Sequence, residues 1–242
     1  MKCPQCQQES RSKAAYCSHC GAKLVPDGEP VYTKHVKKVS VFFFVLLAYI
    51  ALLHATEFQK DFPTIVIADS VFALIIILFF IINFKEVKGL FNFKNLKPKI
   101  LIIVFLSAVA MGFLVNVFAD YLNKSLFDAS QEIYFESYMD SPFPLLMCII
   151  SIGVVPAIFE EIAFRGILFT ELQKITNTNA VILITSMLFT LLHFSVLSMI
   201  WLFPGALAMG YLRAKYNTIN YGMLAHFTYN TTIVLLQIIF FK

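Results

Sequence analysis

The stretch FEEIAFRGILF, residues 159–169, sets two adjacent glutamates and an arginine inside one of the most apolar parts of the chain. An ionisable group at the centre of a bilayer-spanning helix costs about 3 kcal/mol or more unless it is paired or hydrated. Such groups face the interior of a helix bundle and mark places where chemistry is done. The fold therefore turns on whether this stretch lies in a soluble helix or inside a membrane.

Composition answers that question. The 242 residues are 59% hydrophobic and 14% charged, with a mean hydropathy of +0.75. A soluble domain carries about 25% charged residues. The apolar residues fall in blocks near twenty long, which suits spanning helices and not the alternating segments of a membrane barrel. Seven spans are expected, near 40–56, 63–83, 99–119, 142–171, 180–197, 199–213 and 219–240. The fold class is an all-α polytopic membrane protein of about seven transmembrane helices, preceded by a small cysteine-rich module. Four regions follow: 1–24 that module, read below as a zinc ribbon, 25–39 linker, 40–140 N-terminal helices with an outer loop, and 141–242 a C-terminal helical core.

Charge sets the expected orientation. Residues before the first span carry seven basic side chains against three acidic. The 84–99 connection carries five against one, and the 120–141 loop carries one against five. The N-terminus is then cytoplasmic, and loop 120–141 lies outside as a helix on the membrane surface. The basic residues sit beside apolar blocks, as topology signals do, so no nucleic-acid partner is expected.

Cys3, Cys6, Cys17 and Cys20 form two CxxC pairs ten residues apart. Four thiolates complete a closed tetrahedral zinc site, which is structural because no position is left for water. About twenty residues bury too little core to fold alone, so the metal supplies the folding energy. Disulfides or a redox CxxC are the rival reading; a cytoplasmic location and the lack of a βαβ pattern oppose them. The head resembles the short zinc ribbons of many bacterial membrane proteins, with Gln7 where glycine is commonest after the first knuckle. Cys148 reads as a small buried hydrophobe.

Within the spans, the ionisable and strongly polar residues are few. Glu161 and Arg165 are four apart on one helix and can pair. Glu160 is rotated by about 100° and faces elsewhere. Phe189 and His193 repeat the four-residue spacing, as do His226 and Asn230. At a rise of 1.5 Å per residue, Glu160 lies roughly 16 Å deep, His193 roughly 20 Å, His226 roughly 10 Å and Asn230 roughly 16 Å. Three helices thus bring polar groups to one level, as a functional site or as a polar network holding the bundle. Asp69, in the second span, reads as a hydrated interface position; His35 and His54 read as interfacial. Pro156, one turn before Glu160, removes a backbone bond and opens a route for water.

EEIAFR, FTLLH and HFTYN resemble the EExxxR, FxxxH and HxxxN motifs of the CPBP family, which contains CAAX prenyl proteases of the Rce1 type and bacteriocin-processing and immunity-associated membrane proteins. The resemblance covers roughly residues 140–240. It implies an intramembrane endopeptidase in which Glu160 and His193 activate water, His226 and Asn230 stabilise the oxyanion, and Glu161 and Arg165 form a supporting pair. It implies a peptide or membrane-protein substrate, a metal-free catalytic core and a bacterial cytoplasmic membrane. One glutamate and two histidines also suit a catalytic zinc, but no HExxH spacing occurs. The alternatives are a non-catalytic peptide-binding or bacteriocin-immunity protein, a zinc-dependent variant of the protease, and a transporter or zinc-linked sensor. The last lacks the inverted repeat it would need.

Overall fold

The structure, a computed structural model, describes residues 3, 5–8, 20, 22, 31–56, 58, 61–94, 96–127 and 134–240. All regular structure among them is helical. Among the described residues seven principal helices form the bundle: α1 Val31–Thr56, α2 Phe62–Ile82, α3 Pro98–Phe127, α4 Pro144–Leu172, α5 Thr178–Leu191, α6 Met199–Tyr216 and α7 Asn220–Phe240. Five of them, α1 to α4 and α7, are long and apolar enough to cross a membrane. Large aliphatic side chains stand exposed on these helices, Leu78, Ile82, Ile102 and Leu114 among them. Such a surface suits lipid and would be a liability in water. The chain is an integral membrane protein.

Local signals explain several boundaries. Asp61 caps α2 by accepting from the Thr64 N–H at 3.0 Å, while Thr64 Oγ1 accepts from the Asp61 N–H, with Pro63 in the first turn. Asn177 caps α5 by accepting from the Ala180 N–H at 3.0 Å. Asn217 ends α6 in the left-handed region, at φ 49°.

Two expectations need correction. The span expected over 180–197 stops at Leu191, where the chain turns through Leu192 and His193 and Phe194 adopts φ 49°. At 14 residues α5 is about 21 Å long, short of the roughly 30 Å hydrocarbon core. Its end, and His193 beyond it, therefore lie at mid-bundle. The 120–141 region is not a surface helix where it is described: α3 runs on to Phe127, and a 3₁₀ turn at Tyr134–Tyr138 buries Tyr138 against Phe62, Ile65 and Val234.

The opening stretch lies at the centre of the molecule. From Glu161 to Phe169 every residue of α4 is buried, as in a helix enclosed on all sides. Ile162, Phe164, Ile167 and Leu168 pack with Phe42 and Leu46 of α1, Ile76 of α2 and Phe189 of α5. α4 is not uniform: Ile149–Val154 and Ile162–Leu168 are π-helical and flank an α segment, Val155–Glu161. π segments inside α-helices concentrate at functional sites.

Candidate active site

α4 carries Glu160 and Glu161 at the junction of its α segment with the second π segment. Arg165 Nη1 donates to Glu161 Oε1 at 2.9 Å, with both side chains at 1% exposure or less. Its Nη2 donates to the Ala206 carbonyl of α6 at 3.1 Å. The guanidinium also lies 4.6 Å from the Phe189 ring centroid. The expected pairing of these two residues is thus formed, and it ties α4 to α5 and α6.

His226 of α7 stands between the glutamates. Its Nδ1 is 3.6 Å from Glu161 Oε1 and its Nε2 is 3.8 Å from Glu160 Oε2. These exceed hydrogen-bond length. Glu160 Oε2, Glu161 Oε2 and His226 Nδ1 are buried with no hydrogen-bond partner among the described residues. Buried polar atoms are usually satisfied, so a cluster of three marks a place for a ligand or water. Gly222, one turn before His226, lets α7 approach: a Cβ there would strike the Glu161 carboxylate. Gly222, His226 and Asn230 form one stripe at i, i+4 and i+8.

Glu160 and His193 line one cavity of about 270 Å³, with Tyr49, His54, Asp69 and Pro156 also on its wall. His193 Nδ1 lies 3.0 Å from the Phe189 carbonyl. A carbonyl only accepts, so Nδ1 carries the hydrogen and Nε2 is the acceptor of the neutral ring. Four of the expected site residues, Glu160, Glu161, His193 and His226, therefore gather around this cavity or one residue from it.

Asn230 is placed differently. Its Nδ2 donates to the Ile152 carbonyl at 2.7 Å. Ile152 is four residues before Pro156, which has no N–H to offer that carbonyl. Asn230 supplies a donor where the proline withholds one, and one amide hydrogen is thereby engaged.

The sequence did not single out Arg213, which reads there as a topology signal. It is 4% exposed; its Nε donates to the Arg165 carbonyl at 3.0 Å and its guanidinium lies 5.0 Å from the Phe169 ring centroid. Asp69 is half-buried on α2 and His54 is exposed in the last turn of α1, in line with an interface and an interfacial position. Both line the cavity, and Ser151 Oγ donates to Asp69 Oδ2 at 2.5 Å. A lone carboxylate in the apolar second span was the available signal for Asp69.

Of the four N-terminal cysteines, Cys17 lies outside the described residues. Cys3, Cys6 and Cys20 place their sulfurs within 4.8 Å of one another, close enough to bind a metal. Cys3 and Cys20 Sγ are 3.6 Å apart. A tetrahedral site with Zn–S bonds of about 2.3 Å has sulfur–sulfur edges near 3.8 Å, so the set fits. The Cys6 backbone N–H, directed at Cys3 sulfur, holds that thiol below its ordinary pKa and favours the ligating thiolate. Gln7 adopts φ 61°, the left-handed conformation that explains why glycine is commoner after such a knuckle. Among the described residues this is the only such set; the carboxylates and imidazoles of the cavity do not converge in that way.

Residues 142–232 match the family model described as Rce1-like, type II CAAX prenyl endopeptidase. The matched segment runs from the start of α4 into α7 and contains all three motifs. The match supports, at family level, a likeness of this segment to CAAX-type intramembrane endopeptidases. No curated protein and no solved structure matches the chain.

Proposed function

We propose that the chain hydrolyses a peptide bond of a peptide or membrane protein within the bilayer, using a water activated by Glu160 and His193. The observation that carries this reading is the shared cavity: it holds the Glu160 carboxylate and the His193 ring in an apolar, half-enclosed setting. Glu160 has a buried oxygen with no hydrogen-bond partner among the described residues, ready to take a proton from water. His193 presents Nε2 as an acceptor. The resulting hydroxide attacks the scissile carbonyl, and the proton held by Glu160 passes to the leaving amine. His226 donates to the oxyanion, and the second amide hydrogen of Asn230 joins it. Arg165 neutralises Glu161 and so leaves Glu160 as the reacting carboxylate. The catalytic core works without metal in this scheme, and the cysteine set holds a structural zinc. The N-terminus is cytoplasmic.

The test compares membrane proteomes and released peptides of cells carrying wild type or Glu160→Ala at matched expression. A product seen with wild type alone supports proteolysis and names a substrate. Identical profiles, with a wild-type phenotype for Glu160→Ala, would sink the mechanism and favour a peptide-binding role, as in bacteriocin immunity.

A further inference from the structure

A second cavity, of about 350 Å³, opens where the start of α1 meets the ends of α2 and α4. Lys34, Lys37 and Lys38 form one wall, and Phe42, Phe79 and Ile167 stand among its apolar residues. Among the described residues Glu171 is its only acid, and that charge is already covered. His35 Nδ1 lies 2.5 Å and Lys174 Nζ 2.8 Å from its two oxygens, with Lys38 Nζ at 3.6 Å. Lys34 and Lys37 are exposed and have no ion pair among the described residues. Among the described residues the site therefore presents unpaired positive charge beside apolar surface.

A second observation points to a ligand. Asn83, at 4% exposure, also lines this cavity. Its Nδ2 donates to the Phe79 carbonyl at 2.8 Å, which fixes the amide orientation. Its Oδ1 is buried and has no hydrogen-bond partner among the described residues. The lysines call for an anion, and Asn83 calls for a hydroxyl or amine donor beside it. Val41 and Ile82, at the rim, are 49% and 68% exposed, a surface suited to acyl chains. The same end of the bundle carries the lysine-rich 84–99 connection, so the cavity lies at headgroup level on the basic membrane face.

We propose that this cavity binds an anionic phospholipid with a hydroxylated headgroup, of the phosphatidylglycerol class. The phosphate sits on Lys34 and Lys37, a headgroup hydroxyl donates to Asn83 Oδ1, and the acyl chains lie along Val41 and Ile82. By bridging α1 to the ends of α2 and α4, the lipid fastens the helix that carries Glu160. This inference is independent of peptide hydrolysis.

The experiment is native mass spectrometry of the full chain released from detergent with one phospholipid at a time. Phosphatidylglycerol should be retained at least tenfold better than phosphatidylcholine. Lys34→Gln with Lys37→Gln should lower that retention at least fivefold, whereas Lys85→Gln with Lys88→Gln on the same face should leave it unchanged. Phosphatidylmethanol, anionic but without a free hydroxyl, should bind more weakly than phosphatidylglycerol to wild type and equally to Asn83→Leu. Equal retention of phosphatidylcholine, or equal losses in the two lysine pairs, would overturn the proposal. Displacement of the lipid by glycerol 3-phosphate alone would assign the site to a soluble phosphate and overturn it as well. The lysine variants are exposed, so they report on binding even if Asn83→Leu fails to fold.

Discussion

Replacing Arg165 by methionine isolates the energetic centre of the bundle. The substitution keeps an unbranched side chain and removes the charge that faces Glu161 at 2.9 Å. With charge centres about 4 Å apart and an effective dielectric near 20, the lost attraction is about 4 kcal/mol. Leaving one member of a buried pair alone costs about 3–5 kcal/mol by the wider record of such truncations. The lost bond to the Ala206 carbonyl and the contact with the Phe189 ring belong to the same group and do not add in full. Thermal unfolding in one detergent should give a midpoint lower by roughly 6–20 °C. The double variant Glu161→Gln/Arg165→Met removes the stranded carboxylate and should recover about 2 kcal/mol or more of the loss. Four proteins, wild type, two singles and the double, complete the cycle. Additive single effects, with coupling under about 0.5 kcal/mol, would refute the idea that the pair is a buried, mutually dependent unit.

Four other outcomes follow from the structure. Glu160→Gln, nearly isosteric, should lower turnover of any substrate found by about 10²–10⁴-fold while leaving the unfolding midpoint near wild type; unchanged turnover would remove Glu160 as the base. Gly222→Ala should cost about 1–3 kcal/mol by driving a methyl into the Glu161 carboxylate, and a wild-type midpoint would show that α7 does not press on α4 there. Asn230→Ala should be partly rescued in stability by Pro156→Ala, which restores an N–H to Ile152; activity should stay low in the double variant if Asn230 also serves the oxyanion. Cys3→Ser should release one zinc per chain from the purified protein and leave the helical core folded, whereas unchanged metal content would end the ribbon reading.

The i, i+4 spacing of Glu161 with Arg165 was enough to foresee a pair that the structure forms, because residues four apart stay on nearly one side of the helix even across the π turn that begins at Ile162. The apolar blocks likewise placed α1, α2, α4 and α7 to within a few residues, except that α1 begins well before its apolar run. Other features left no mark in the sequence. The end of α5 at Leu191 rests on Phe194 taking a left-handed conformation without glycine, asparagine or proline to announce it. The engagement of Asn230 with Ile152 depends on which faces of α4 and α7 meet, a matter of packing. Asp69 was visible as an isolated carboxylate, but its neighbourhood required α1, α2, α4 and α5 to enclose one space. Arg213 resembled an ordinary juxtamembrane cation because its partners are backbone carbonyl, hydroxyl and amide groups and an aromatic face, none of them charged.

The two π segments of α4 set the angular bookkeeping of the whole site. A residue shifted along an α-helix turns by about 100°, so adding or deleting one residue normally re-aims everything beyond it. A π turn can absorb or release a single residue within its own length. Deleting one residue between 149 and 154 would let that turn close to α-helix while Glu160 keeps its heading toward the cavity; the same deletion between Val155 and Phe159 would swing it away. The helix thus carries two places where length can change without loss of aim. Chains related to this one should differ in length there before they differ anywhere else along α4.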